Sequence, residues 1–183
     1  MLDRLTNWKS VLIIFLVAVV GFNVILFPWR SRMMQDLAGR PVGIIDTMYA
    51  YNPDQVYKTI PIYGDEGRLF YALTELTIDL VYPILYNLFL LLTMTLVFRQ
   101  ALAGDSVLQK LRYLPLAVWI SDYAENTCIT LLLYSYPQRL DALAWVTSFF
   151  STTKWSLGAA SLALIVIGLV VWWVKRFRAG GSR

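Results

Sequence analysis

Hydrophobic and polar positions divide this chain into four long apolar runs joined by polar stretches. Residues 10–28 are almost wholly apolar and end in Pro28, Trp29 and Arg30. An aromatic residue beside a charge is how a membrane helix meets its interface. The run is longer than the ~7–15-residue apolar core of a signal peptide, so a retained first span is expected. Further runs cover 69–98, 113–136 and 143–174. Each is near or above the roughly 20 residues needed to cross the hydrocarbon core. The expected fold is all-α: a single integral membrane domain, built as a four-transmembrane-helix up-down bundle.

The connections are unequal. Residues 30–67 form a long loop, expected on the extracytoplasmic side. Within it Asn52-Pro53 reads as an N-cap followed by proline at the first helical position, which predicts a short helix over 53–60. Gly64-Asp65-Glu66-Gly67 reads as a turn into the second span, its acids favourably placed against the helix dipole. It lacks the lysine and glycine spacing of a phosphate loop. A short basic loop covers 99–112 and a tight turn 137–142. A basic tail, 175–183, closes the chain, with RAGGSR expected to be flexible.

The second run breaks the apolar pattern. Arg68, Tyr71, Glu75, Asp79, Tyr82 and Tyr86 follow one another at steps of three, four, four, three and four. On a helix that spacing is one face. Ionisable groups in a bilayer helix face something other than lipid. Pro83 falls inside the stripe, where it is expected to kink the helix and free a carbonyl near position 79. The third run adds Asp122, Glu125 and Asn126. The fourth carries Lys154 within a second stripe of Thr147, Ser151, Gly158 and Ser161.

Asp79 is about ten residues, ~15 Å, in from the outer end of its span, and Asp122 and Glu125 are ~14–18 Å from the inner end of theirs. With Lys154 they reach similar depths, and antiparallel neighbours would bring them together. Arg68 and Glu75 lie nearer the membrane margin and are expected as hydrated end residues or a local ion pair.

Composition narrows the chemistry. Of 183 residues, 58% are hydrophobic and 15% charged, against about a quarter charged in soluble domains. There is no histidine and one cysteine, Cys128. His-ligated haem, His-bound zinc, a His general base and a disulfide redox centre are therefore excluded. A metal would need oxygen ligands, with Asp79, Asp122 and Glu125 as the candidates. The net charge of +4 comes from scattered and end-loaded basic residues, not from a nucleic-acid-binding patch. An N-terminus on the cytoplasmic side of the inner membrane puts Arg4, Lys9, Arg99, Lys110, Arg112 and the C-terminal cluster inside, as the positive-inside rule asks. Arg30, Arg32 and Arg40 in the long loop count against that orientation.

Glu75, Asp79, Asp122 and Glu125 outnumber Arg68 and Lys154 by two negative charges. Buried excess charge calls for a bound cation, a cationic ligand or protonated carboxyls. The structural alternative is interhelical hydrogen bonding, Asp79 with Lys154 and Asp122 with Tyr82 or Asn126.

The expected role is to bind or move a cation or polar lipid headgroup. Asp79, Asp122, Glu125 and Lys154 would carry it, with Tyr82, Tyr86 and Asn126 beside them and Arg68 and Glu75 peripheral. A membrane-embedded, metal-dependent lipid-modifying enzyme and an accessory subunit of a larger membrane complex are the alternatives; no catalytic residue is assigned.

The segment YxxNPDQVYKTIxxYGDEGRLFYxxxExxxDxxYP, followed by DYAEN, resembles a functionally uncharacterised family of small bacterial four-span membrane proteins. Gly-x-x-Gly-Arg, Asp-x-x-Tyr-Pro and Asp-Tyr-x-Glu-Asn segments carry the resemblance, over residues 44–137. It implies architecture and directs attention to Gly67, Arg68, Asp79, Tyr82, Pro83, Asp122, Glu125 and Asn126. The size is also similar to that of membrane ceramidase-type hydrolases and of quinone reductases of the vitamin K type. The first need histidine-bound zinc and the second a Cys-x-x-Cys, and neither motif exists in this chain.

Overall fold

The computed structural model describes residues 6–180, and these contain helices, turns and loops but no strand. Helix α1 spans Trp8–Ala38. Asn7 caps it by accepting a hydrogen bond from the Ser10 amide at 2.9 Å. It does not stop at Pro28, as the apolar run suggested, but continues ten residues further to Gly39, whose φ of +65° provides a left-handed terminus. The reason lies upstream. Leu16–Leu26 is wound as a π-helix, and the Phe27 amide bonds to the Phe22 carbonyl, five residues back. Pro28 therefore follows a change of hydrogen-bond register, where its missing N–H disturbs no regular α ladder.

The chain then makes a short 3-10 turn, Ile45–Thr47, and enters α2, Pro53–Thr59. Asn52 and Gln55 form a reciprocal capping box there. Helix α3 is Gly64–Glu75 and α4 is Ile78–Ala101. The second span is thus interrupted at Leu76–Thr77 rather than at Pro83. Thr77 leaves helical geometry (φ −126°, ψ −75°), and its hydroxyl donates to the Leu73 carbonyl at 2.6 Å. A 3-10 turn, Val107–Tyr113, leads into α5, Leu114–Ser135. Helix α6, Asp141–Gly180, is continuous. The basic residues Lys175, Arg176 and Arg178 belong to this helix, which thus takes in the first residues of the RAGGSR segment expected to be flexible; 1–5, including Arg4, and 181–183 lie outside the described residues.

Ring contacts set the packing direction. Phe15 meets Phe89, Phe22 meets Tyr82 and Trp29 meets Phe70, at centroid distances of 5.4, 5.2 and 5.8 Å. The falling partner numbers make α1 antiparallel to α3 and α4. Tyr86 with Asp122 and Asp79 with Asn126 make α5 antiparallel to α4 in the same way. Helix α6 runs alongside α4, with Gly168 against Val97 and Lys175 Nζ donating to the Ala101 carbonyl at 2.7 Å. That ammonium sits where the C-terminal dipole of α4 attracts positive charge.

The interior has three layers. At the loop end is an apolar core that includes Tyr63, Tyr71, Ile129 and Leu132; at the other end is one formed by Leu90, Met94, Val97, Phe98 and Ile165. The residues between them on α4, α5 and α6 bury carboxylates, amides and hydroxyls. Outward faces instead carry large exposed apolar side chains, among them Val24, Leu80, Ile120, Leu131 and Ile167. Polar residues inside and apolar ones outside reverse the usual soluble arrangement. Three helical stretches, Trp8–Ala38, Pro53–Ala101 and Asp141–Arg178, are long and apolar enough to cross a membrane.

Candidate functional site

Among the described residues the charged side chains of the interior gather in two clusters. The first is centred on Arg30. Past Pro28, α1 still points this residue inward, and only 3% of its side chain is exposed. Its guanidinium pairs with Asp46 at 2.9 Å, in close contact with Asp79, and 3.8 Å from Glu75. The same group lies 5.1 Å from the Phe27 ring centroid. Asp46 arrives on the Ile45–Thr47 turn, where its backbone amide donates to the Tyr71 hydroxyl at 3.1 Å. Glu75 closes α3 and Asp79 opens α4, where a carboxylate faces the positive end of the helix dipole.

The second cluster is centred on Lys154 of α6. Its ammonium lies 2.6 Å from Glu125 Oε2 and 3.3 Å from Asp122 Oδ1. The Tyr86 hydroxyl donates to Asp122 at 2.6 Å, and the Tyr51 hydroxyl donates to Glu125 at 3.3 Å. Burial, and then the adjacent Glu125 carboxylate, push the Tyr51 hydroxyl well above the usual phenol range, which keeps it a donor.

Proline chemistry joins the clusters. Pro83 has no N–H to offer the carbonyl four residues back, and that carbonyl, Asp79 O, accepts instead from Asn126 Nδ2 at 3.1 Å. The next carbonyl, Leu80 O, accepts from the Tyr123 hydroxyl at 2.5 Å. The backbone exposed near Pro83 is thus used to dock α5.

The long loop does not stand apart from the bundle. Ser148, Ser151 and Thr152 of α6 hold it by hydrogen bonds to the Tyr51 amide and to the Met48 and Tyr49 carbonyls. Of the small-residue stripe of α6 only Ser151 takes part, and its neighbours Ser148 and Thr152 complete the fastening of the segment that delivers Asp46 and Tyr51. Thr147, Ser151 and Ser161 are fully buried.

Several sequence expectations are corrected. Glu75 is not a hydrated margin residue: its side chain is 0% exposed. Arg68 pairs with Asp65 and lies over the Tyr136 ring, apart from both clusters. Asp79 pairs with Arg30 rather than Lys154, and Asp122 bonds Tyr86 rather than Tyr82 or Asn126. The Tyr82 hydroxyl is engaged with Asn23 (3.1 Å) instead of a carboxylate. The carboxylates expected to share a metal do not meet in one place. Asp79 belongs to one cluster, and Asp122 and Glu125 to the other. The carboxylates that converge, with one oxygen from each within 4.8 Å of the others, are Asp46, Glu75 and Asp79.

Arg30 and Asp46 were not singled out from the sequence. Extending the inward face of the first helix, Ala18, Phe22, Arg30 and Met34, beyond Pro28 would have found Arg30. Asp46 is the lone charge in the VGIIDTM stretch. Among the described residues, surface grooves open beside the Lys154 cluster, on the Tyr51 side, and at the periphery. One of about 490 Å³ is lined by residues such as Tyr51, Gln55, Trp145 and Phe149; another of about 190 Å³ lies by Arg68 and Tyr136. Arg30 touches Asp46 and Asp79 directly, as Lys154 does Asp122 and Glu125. No family model, curated protein or solved structure matches this chain.

Proposed function

We propose that this chain is a four-span inner-membrane protein whose polar interior binds or moves a cation. The fourth span in this reading is α5. Its inner face carries Asp122, Glu125 and Asn126, while Ile120 and Leu131 face outward, so its lower average hydropathy reflects what it encloses. Placing both termini in the cytoplasm leaves the 39–63 connection outside, folded over the bundle's mouth.

The observation that carries the proposal is the charge balance. Among the described residues, Asp46, Glu75, Asp79, Asp122 and Glu125 surround two basic groups, Arg30 and Lys154. Five carboxylates less two basic groups leave three negative charges when all are ionised. A low-dielectric interior disfavours such an excess strongly, so it must be met by protons or by bound cations. Both are cargo that a membrane protein handles.

Thermal unfolding of the full chain in detergent tests this. The midpoint should rise with an added cation, or with acidification from about pH 8 to about pH 5, because the folded state takes up what the unfolded chain does not. A cation at a hundred times its dissociation constant adds about 2.7 kcal/mol. Asp79→Asn and Asp122→Asn should each flatten the response. A wild-type midpoint indifferent to every cation and to pH would sink the proposal.

A second reading is favoured by the direct ion pairs: the clusters are interhelical braces, as in an accessory subunit held against a larger membrane partner. Under it the two variants lose stability, and wild type shows no cation response.

A further inference from the structure

The Arg30 cluster contains a carboxylate that its neighbours do not satisfy. Glu75 is wholly buried, and neither of its oxygens accepts a hydrogen bond from any described residue. The nearest cation, Arg30 Nη1, stands 3.8 Å from Oε1, beyond hydrogen-bond reach. Arg30 is committed elsewhere, to both oxygens of Asp46 and to Oδ2 of Asp79. Glu75 thus aims two free acceptors into a space that Asp46 and Asp79 also face, with one oxygen of each residue within 4.8 Å of the others. Three carboxylates less one guanidinium leave two negative charges, the charge that one divalent cation neutralises.

We infer that Asp46, Glu75 and Asp79 form a binding site for a hard divalent cation of the magnesium, manganese and calcium class. The donor set is all carboxylate oxygen, which suits these ions and not the thiolate- and imidazole-seeking metals. Arg30 orients Asp46 and Asp79 and lowers the residual charge; Glu75 supplies the oxygens that nothing else claims. The three ligands come from three elements: the loop turn, the end of α3 and the first turn of α4. An ion bound there ties the extracytoplasmic loop to both sides of the Leu76–Thr77 break. This inference deepens the cation-binding reading above and rests on it.

The test is a titration of the full chain in detergent with Mn²⁺ alone, in which electron paramagnetic resonance reports the free aqua ion. Wild type should remove one Mn²⁺ per chain from the free signal, with Mg²⁺ or Ca²⁺ in excess restoring it. Glu75→Gln keeps the shape, removes one ligand charge and breaks no ion pair within hydrogen-bond distance, so it should stay folded. It should weaken Mn²⁺ binding by at least the roughly tenfold that losing even an outer-shell partner costs. Asp46→Asn should do the same, whereas Asp105→Asn, an exposed carboxylate in the α4–α5 connection and outside both clusters, should bind as wild type does. Undiminished free Mn²⁺ with wild type would overturn the site without needing any variant, as would equal binding by Glu75→Gln. If Mn²⁺ fails to bind while acidification still raises the unfolding midpoint, the divalent site alone falls. If neither acts, the broader cation reading falls with it.

Discussion

Arg30 holds the most consequential single position in the interior. It is enclosed by Asp46, Glu75 and Asp79, so removing it leaves three carboxylates facing one another in a water-poor site. Breaking a buried ion pair by deleting one partner costs about 3–5 kcal/mol, because the remaining charge is left uncompensated. Arg30→Met, which keeps much of the aliphatic stem, is expected to lose that much stability, read as an earlier unfolding midpoint in mixed detergent micelles. Adding Asp79→Asn to it should recover part of the loss, since the amide removes one of the stranded charges. An unchanged midpoint in Arg30→Met would mean that the guanidinium does not hold this cluster together. Glu75 makes the opposite case. Among the buried carboxylates described, it is the one whose two oxygens both lack a hydrogen-bond donor, so neutralising it withdraws no bond.

At the scale of the element, the helices meet through defects and small residues rather than through uniform apolar ridges. The π-wound Leu16–Leu26 lets α1 pass Pro28 and deliver Arg30. The Thr77 break separates α3 from α4 between two carboxylates. The carbonyl freed by Pro83 becomes the acceptor that docks Asn126. Gly168 is a further case, and it lies outside the polar stripe of α6. A Cβ placed there would stand 2.5 Å from Cγ1 of the buried Val97, a β-branched side chain with little rotamer freedom. Gly168→Ala should therefore push α6 away from α4 and cost about 1–3 kcal/mol, as overpacking typically does. Combined with Val97→Ala, most of that cost should disappear, and a double-mutant cycle of unfolding free energies measures it. Gly158, which sits in the stripe, has open space where a Cβ would go, so alanine there should be tolerated.

For the whole molecule, the reversed distribution of polar and apolar residues requires an apolar surrounding, and the basic residues choose the orientation within it. Arg99, Lys110 and Arg112 lie at the α4–α5 connection, with Lys175, Arg176 and Arg178 at the same end on α6. That end is expected to be cytoplasmic. In a Cys128→Ser background, Gly104→Cys should react with a membrane-impermeant thiol reagent only after cells are opened. Gln138→Cys, in the turn by the loop, should react in intact cells. The reverse pattern would invert the topology and place the 39–63 connection in the cytoplasm.

The hydrophobic pattern alone contained the helical class, the location of the long runs, the Asn52 cap and the fact that polar residues must be enclosed. Those are local properties: periodicity, caps and composition follow from a residue's own neighbours in the chain. Pro83 also announced a free carbonyl near Asp79, because a missing N–H is written in the residue itself. The pairing of charges was not legible in the same way. Arg30 sits beyond a proline at the end of an apolar run, where a span was expected to stop, and only the change of hydrogen-bond register upstream carries the helix past it. Asp46 lies in a loop, and its burial depends on serines and threonines about a hundred positions later that hold that loop down. Which carboxylate meets which cation is a long-range contact, set by how helices rotate and where backbones break. Composition and periodicity alone require an interior that is acidic and enclosed. Only the tertiary structure divided that acidity into an Arg30 cluster and a Lys154 cluster, because those contacts join elements far apart in the chain.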